Sequence, residues 1–186
     1  MNPLFTSEKI HLRPFLHGDL AAVTAYLNHD ELVGRRYLPH GFPDALPLAE
    51  SQIDGVLKKW GEKERGLALA VVHTASDTFI GHVDCSWHWD PHAPDLSIVI
   101  GPEHQRQGYG SAALAMMLAF FFRETVAHNV AGWVSDWNEA GRAFAAAHGF
   151  TESGAMRRAG IRNGAYVDLQ LVDILRPEWQ AQQGGN

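Results

Sequence analysis

The stretch PEHQRQGYGSAALAMMLAFFF, residues 102–122, runs from a basic, glutamine-rich turn through two glycines, Gly108 and Gly110, into a long apolar segment. Glycines at the start of a helix leave its first N–H groups open to an approaching anion, because no side chain stands in the way and the helix end carries partial positive charge. A plain turn with glycines at positive φ is the alternative reading of an isolated G-x-G. A nucleoside-triphosphate loop is excluded, since no Gly-Lys-Ser/Thr follows. GYGSAA also fits a G-x-G-x-x-A dinucleotide fingerprint, with Asp136 further along at the end of a strand. That fingerprint places its first glycine directly after a strand, whereas GPEHQRQ separates Ile100 from Gly108. The rest of the chain is also too short for a dinucleotide domain followed by a substrate domain.

Working outward, DLSIVI reads as the strand before the turn, and the apolar run as a helix to about Glu124 buried against a sheet. VAGWVSD is the next strand, NEAGRAFAAAHGF a short helix stopped by Gly149, and YVDLQLVDIL a terminal alternating strand. Upstream, KIHLRPF alternates as a strand does, Pro14 and Gly18 close it, and Asp19 is placed to cap the helical DLAAVTAYLNHD. RRYLPHGFPDALP reads as a loop, followed by a helix from about Leu48 to Glu64. LALAVVH and FIGHVDCSWHW, joined by TASD, read as an antiparallel hairpin.

A chain of 186 residues with 46% hydrophobic and 19% charged residues is that of one globular domain, read here as 1–186 with a frayed tail from about 180. The longest apolar run is roughly half of what spans a bilayer, and MNPLFTSEKIHLRPF lacks a signal pattern, so no membrane is expected and the cytoplasm is the default. The lone Cys85 forms no internal disulfide and agrees with a reducing compartment. A formal charge of −6 argues against nucleic acid as a partner.

The sequence Gln105-Arg106-Gln107-Gly108-Tyr109-Gly110 resembles the acyl-CoA loop, Q/R-x-x-G-x-G/A, of the GNAT superfamily of N-acyltransferases. KIHLRPF with Asp19, and the Asn138 segment ending in Gly149-Phe150, are similar to further motifs of that superfamily in the same order. The C-terminal GFTESGAMRRAGIRNGAYVDLQLVDILRPEW is similar to the branch containing the RimJ and RimL ribosomal-protein N-terminal acetyltransferases.

The resemblance implies an α+β sandwich: a mixed, mostly antiparallel twisted sheet with helices on both faces, splayed between the fourth and fifth strands, DLSIVI and VAGWVSD. It implies acetyl-CoA or another acyl-CoA as cosubstrate. Backbone amides of Gln107, Gly108, Tyr109, Gly110 and Ser111 would hold its pyrophosphate. Gln105 and Arg106 stand beside them, Ile98, Val99 and Ile100 would hydrogen-bond the pantetheine, and Asn138 lies near that arm. The acceptor is a primary amine: a peptide N-terminus, an aminoglycoside, a polyamine or similar. The assembly is open, a homodimer included. A noncatalytic acyl-CoA-binding module is the alternative from a different class.

Acyl transfer needs a neutral amine, a donor for the developing oxyanion and a departing thiolate. By the resemblance, a main-chain amide near Val99 would meet the oxyanion. Asp95 matches the position where the branch carries a Glu, and is either the base, direct or through water, or a surface residue opening its strand. Ser135 ends the partner strand and is the second catalytic candidate. The family tyrosine that protonates the leaving thiol is replaced by Ala145, and side chains of the ribosomal-protein branch are missing at Gly141 and Gly160. Arg142 reads as a solvent-facing helix residue, with contact to a CoA phosphate as the alternative. If Asp84, Asp90, Asp95 and Asp136 rim a groove, they would draw in cationic amines.

The histidines of GHVDCSWHWDPH raise a metal site, but alternation accounts for them. His82, Asp84, Ser86 and His88 share a polar strand face opposite apolar Val83, Cys85, Trp87 and Trp89, as in a half-buried strand, and Pro91 and Pro94 bar a helical His pair. No metal is expected, and Cys85 reads as core rather than nucleophile.

Overall fold

The computed structural model describes residues 5–29, 47–61, 66–87 and 90–184. The loop expected at RRYLPHGFPDALP, the end of the second helix at Glu64, and His88 and Trp89 lie wholly or largely outside them. The chain forms two compact units, Met1–Ser86 with Ser97–Leu118, and Trp87–Leu96 with Ala119–Asn186.

In the first unit, β1 (Phe5–Thr6), β2 (Ile10–Arg13), β3 (Gly66–His73) and β4 (Thr78–Ser86) pair antiparallel in order. The β3–β4 hairpin turns through TASD as the sequence anticipates, with a bulge between Val71 and Val72. Helices α1 (Leu20–Leu27) and α2 (Glu50–Gly61) supply Val23, Tyr26, Leu27 and Ile53, which cluster with Leu48 and Val99.

Asp19 does not cap α1 through its side chain. Its carboxylate instead accepts two bonds from the Arg13 guanidinium, at 2.7 and 2.9 Å, and one from the Leu16 amide at 2.8 Å. The fork of a guanidinium matches a carboxylate better than a single helix N–H does, so the pair outcompetes the cap. Burial opposes the charge on Asp19, yet these bonds prevail and hold its carboxyl below the ordinary range.

The half-buried reading of β4 is corrected. Its polar face is as buried as its apolar one: His82 is 1% exposed and Asp84 8%. Two features allow this. The Tyr26 hydroxyl hydrogen-bonds His82 Nδ1, and the residues paired with His82 and Asp84 on β3 are Ala70 and Ala68, which leave room for them.

Strand β5 (Asp95–Ile100) begins in the second unit and continues in the first. Helix α3 (Tyr109–Glu124) buries Ala113, Leu114, Met117, Leu118, Phe121 and Phe122, the helical spacing expected of its apolar run. In the second unit β6 (Asn129–Ser135) pairs parallel with β5 at Asp95↔Ala131 and antiparallel with β8 (Ala165–Leu175), which pairs antiparallel with β7 (Thr151–Arg162). Helix α4 (Glu139–Ala147) lies between β6 and β7 in the chain and ends before Gly149, at φ +82°. The pairings make a mixed, mostly antiparallel eight-stranded pattern; among the described ladders β5–β6 is parallel, at a single register.

Two C-terminal features depart from the reading. β7 and β8 form a hairpin around Asn163-Gly164, at φ +50° and +77°, the positive-φ pair that a two-residue turn demands. Gly164→Ala is therefore expected to cost about 1 kcal/mol, read as a lower Tm, because nothing else crowds the site. The second is a helix, α5 (Arg176–Gln183), which runs into the segment read as the tail. Glu178 accepts from the Leu175 amide at 2.8 Å, Trp179 is 6% exposed against Phe122, and Arg176 donates to the carbonyls of Ala127 and Thr125.

Candidate functional site

The loop from Ile100 to α3 is fixed by its own glutamines. β5 stops where the Gly101 amide donates to the Ile80 carbonyl at 2.8 Å, and Pro102–His104 forms a single 3-10 turn. Gln105 Nε2 then donates back to the Ile100 carbonyl at 2.9 Å, and Gln107 Nε2 to the Glu103 carbonyl at 3.2 Å. The Tyr109 hydroxyl donates to Gln107 Oε1 at 3.2 Å, and its ring meets His73 edge-on at 5.5 Å. Arg106 at φ +60° and Gly108 at φ +83° turn the chain so that α3 starts at once. The first helical bond is from Ala112 to the Gly108 carbonyl, at 3.0 Å. Ahead of it the N–H groups of Tyr109, Gly110 and Ser111 belong to the first turn, where a helix has no carbonyl to offer them. Concentrated donors at the positive end of a sixteen-residue helix suit an anion.

Lys9 carries no motif in the sequence. Its Nζ donates to the Gln107 carbonyl at 3.2 Å, which puts a cation beside Gly108. A lone lysine opening KIHLRPF gives no signal of this, since the two positions lie far apart in the chain.

Val99 is 8% and Ile100 9% exposed, with Ile98 half-buried. A Cβ at Gly81 would run into the Val99 carbonyl oxygen, so β4 comes this near to β5 because residue 81 has no side chain. The loop, Ile98, Val99 and Ile100 all belong to the first unit.

Asp95, Ser135 and Asn138 belong to the second. Asp95 is exposed at the first position of β5. Ser135 is the half-buried last residue of β6, and its carbonyl accepts from the Asn138 amide at 2.9 Å. Asn138 is the N-cap of α4, with Oδ1 accepting from the Gly141 amide at 3.0 Å. A Cβ at Gly141 would stand 2.6 Å from Asn138 Nδ2 and 3.1 Å from Val134 Cγ1, so a serine there would disturb the cap. Arg142 is exposed on α4, as read, and its guanidinium also pairs with Glu152 at 2.7 Å.

The four carboxylates expected to attract amines have different surroundings. Asp84 is buried in the first unit. Asp90 holds the amide and ring of His92 at 2.8 and 2.7 Å, and these bonds, the amide first, keep its carboxyl below the ordinary range. Asp136 Oδ2 accepts from the Asp168 amide at 3.1 Å. Among the described residues no three His, Cys, Asp or Glu side chains converge as a metal site would need, and no helix is long and apolar enough to cross a membrane.

The model of the acetyltransferase (GNAT) domain family matches residues 9–151. The chain is 24% identical over 178 residues to an uncharacterized N-acetyltransferase, YoaA, of Bacillus subtilis (strain 168), covering 95% of this chain and 99% of the relative. A crystal structure of a spermidine N-acetyltransferase from Vibrio cholerae, in complex with CoA and spermine, superposes with a TM-score of 0.79 at 20% identity, over 94% of this chain and 99% of the other. A GNAT-family acetyltransferase from Bacillus anthracis gives 0.79 at 17% identity, over 93% and 98%. The eight-strand pattern agrees with these neighbours in fold, and the family match leaves the dinucleotide reading of Gly108 and Gly110 without support. The chain belongs to the GNAT acetyltransferase family, and is an N-acetyltransferase whose acetyl donor is acetyl-CoA.

Proposed function

We propose that the protein, as one domain spanning 1–186, transfers the acetyl group to a primary amine by direct attack within a ternary complex. The observation that carries this reading is the preset donor loop: Gln105 and Gln107 pin it, Arg106 and Gly108 hold positive φ, and the first-turn amides of α3 open beside Lys9. We assign the pyrophosphate to the amides of Gln107, Gly108, Tyr109, Gly110 and Ser111, with Gln105 and Arg106 at the rim. The pantetheine is assigned to Ile98, Val99, Ile100 and Asn138. The Val99 amide is our oxyanion donor. Departure of the thiolate needs no acid, since thiol pKa values lie near about 8.5 and Ala145 offers no proton. Holding amine and thioester together supplies much of the rate.

Asp95 and Ser135 are assigned to the acceptor. An exposed carboxylate at the start of the donor strand can accept an ammonium proton and release it to water. Asp95→Asn is expected to lower kcat by about a hundredfold with the acetyl-CoA dissociation constant unchanged, and to alter the limb of the rate profile that rises with pH. An identical rate and profile would return Asp95 to a surface role.

The segment GFTESGAMRRAGIRNGAY supports placing the chain in the RimJ and RimL branch. The same reading includes peptide N-termini, aminoglycosides and polyamines in the acceptor range, a cytoplasmic location and a homodimer. Thiol release from acetyl-CoA across a panel of such amines is the test, with release expected for at least one. Binding of acetyl-CoA with no release for any amine would make the protein a noncatalytic acyl-CoA module.

A further inference from the structure

Between Ser135 and Asn138 lie Asp136 and Trp137, and the second unit invests heavily in fixing them. The Asp136 amide donates to the Asp168 carbonyl at 3.0 Å, Asp168 returns its own amide to Asp136 Oδ2 at 3.1 Å, and Asp168 Oδ1 accepts from the Arg158 amide at 2.7 Å. The end of β6 is thereby tied to the β7–β8 hairpin. From the last position of β7, Arg162 sets its guanidinium over the Trp137 ring, 3.3 Å from the ring centre. A cation held on an indole face loses little freedom when it binds something further.

Two polar atoms here are shielded from solvent and bonded to nothing among the described residues: Arg162 Nη1 and Asp136 Oδ1. They are a donor and an acceptor, yet they do not satisfy each other. A buried guanidinium N–H without a partner is costly and calls for an explanation. A cation stacked on an aromatic face, with donors in a planar fork, is the arrangement that receives a carboxylate.

We propose that Arg162, positioned by Trp137, binds a carboxylate of the acceptor, so that the preferred substrate is an amine that also carries a carboxylate rather than a bare polyamine. Arg162 is then a specificity residue: it touches the acceptor away from the reacting nitrogen. The uncommitted Asp136 Oδ1, one residue before Trp137, is left as an acceptor that an N–H of an amine-bearing ligand would satisfy. This inference rests on the reading of Ser135 and Asn138 as members of the site.

The test pairs each of glycine, β-alanine, 4-aminobutyrate and 6-aminohexanoate with the alkylamine lacking its carboxylate, and adds spermidine. For the best pair, kcat/KM is expected to favour the carboxylated member by on the order of 30-fold, the worth of one charged hydrogen-bonded contact. Arg162→Gln should abolish the preference by lowering kcat/KM for the carboxylated member far more than for its alkylamine, and Arg162→Lys should restore part of it. A merely structural arginine would slow both members alike, which overturns the proposal, as does a wild-type preference for spermidine or the alkylamines.

A readout independent of turnover uses the products. With CoA present, N-acetylglycine through 6-acetamidohexanoate should quench or enhance tryptophan fluorescence saturably, the response being lost in Trp137→Phe and weakened in Arg162→Gln. No response in the wild type also overturns the carboxylate site. If none of the amines releases thiol while these acids still bind through Arg162, the fault lies with the acetyl-transfer reading and the site stands.

Discussion

Gly108→Val is expected to weaken acetyl-CoA binding by about a hundredfold, equivalent to ~3 kcal/mol, in a protein that still folds. Gly108 sits at φ +83°, a conformation that a β-branched residue adopts only under strain. A Cβ there would meet Lys9 Nζ at 3.1 Å. The lysine is flexible and can yield, but it would then lose its hold on the Gln107 carbonyl, and the isopropyl group would stand in front of the first-turn amides. The loop is exposed and no core residue leans on Gly108, so the damage should stay local. Titration calorimetry on the folded variant decides the matter: an unchanged affinity for acetyl-CoA would remove the pyrophosphate from this loop. Gly108→Ala should fall between the two, since it shares the φ penalty with less bulk.

Asp19→Ala is expected to destabilise the protein by about 3 kcal/mol without touching acetyl-CoA affinity. Removing the carboxylate leaves the Arg13 guanidinium and the Leu16 amide without their acceptor at a site where Asp19 is 6% exposed. Because the folded state holds the Asp19 carboxyl below its ordinary range, the unfolded chain binds the proton more readily. The stabilisation is therefore complete above the unfolded pKa, near about 3.9, and is lost as pH falls through the lower folded value. In urea melts the gap between wild type and variant should be widest at neutral pH and close as the medium is acidified below about pH 4. A gap that does not vary with pH would mean that the variant loses packing rather than an ion pair.

Much of the molecule is legible from periodicity and turn chemistry, and the exceptions share a cause. α3 announces itself through buried positions at helical spacing, and the β3–β4 hairpin through TASD between two apolar runs. The Asn163-Gly164 turn carried an equally strong signal, but β7 between it and Gly149 is polar and exposed along most of its length, so no alternation marked it as a strand. α5 is hard to see because its sequence is polar, with Trp179 as its one buried side chain. Residues whose roles depend on a partner set opposite them by the fold are illegible in principle. Asp19 looks like a cap until Arg13 is placed opposite it. His82 and Asp84 look like a solvated face until Tyr26 and two alanines appear around them. Lys9 and Arg162 draw their interest from groups well removed in sequence, Gln107 and Trp137, and neither a motif nor a period encodes that proximity.

The interleaving of the two units has a consequence for biosynthesis. The first unit needs residues 97–118 to complete it, and the second opens with residues 87–96 but takes the rest of its chain from 119 onward. During translation the N-terminal strands thus emerge well before β5 and α3 are available to finish their unit, and residues 87–96 leave the ribosome long before β6 and β8. Domains usually fold as units in the order of synthesis. Here that order is broken: when β4, buried on both faces in the finished protein, has cleared the ribosome and its neighbour β5 has not, it is an open edge on the nascent chain.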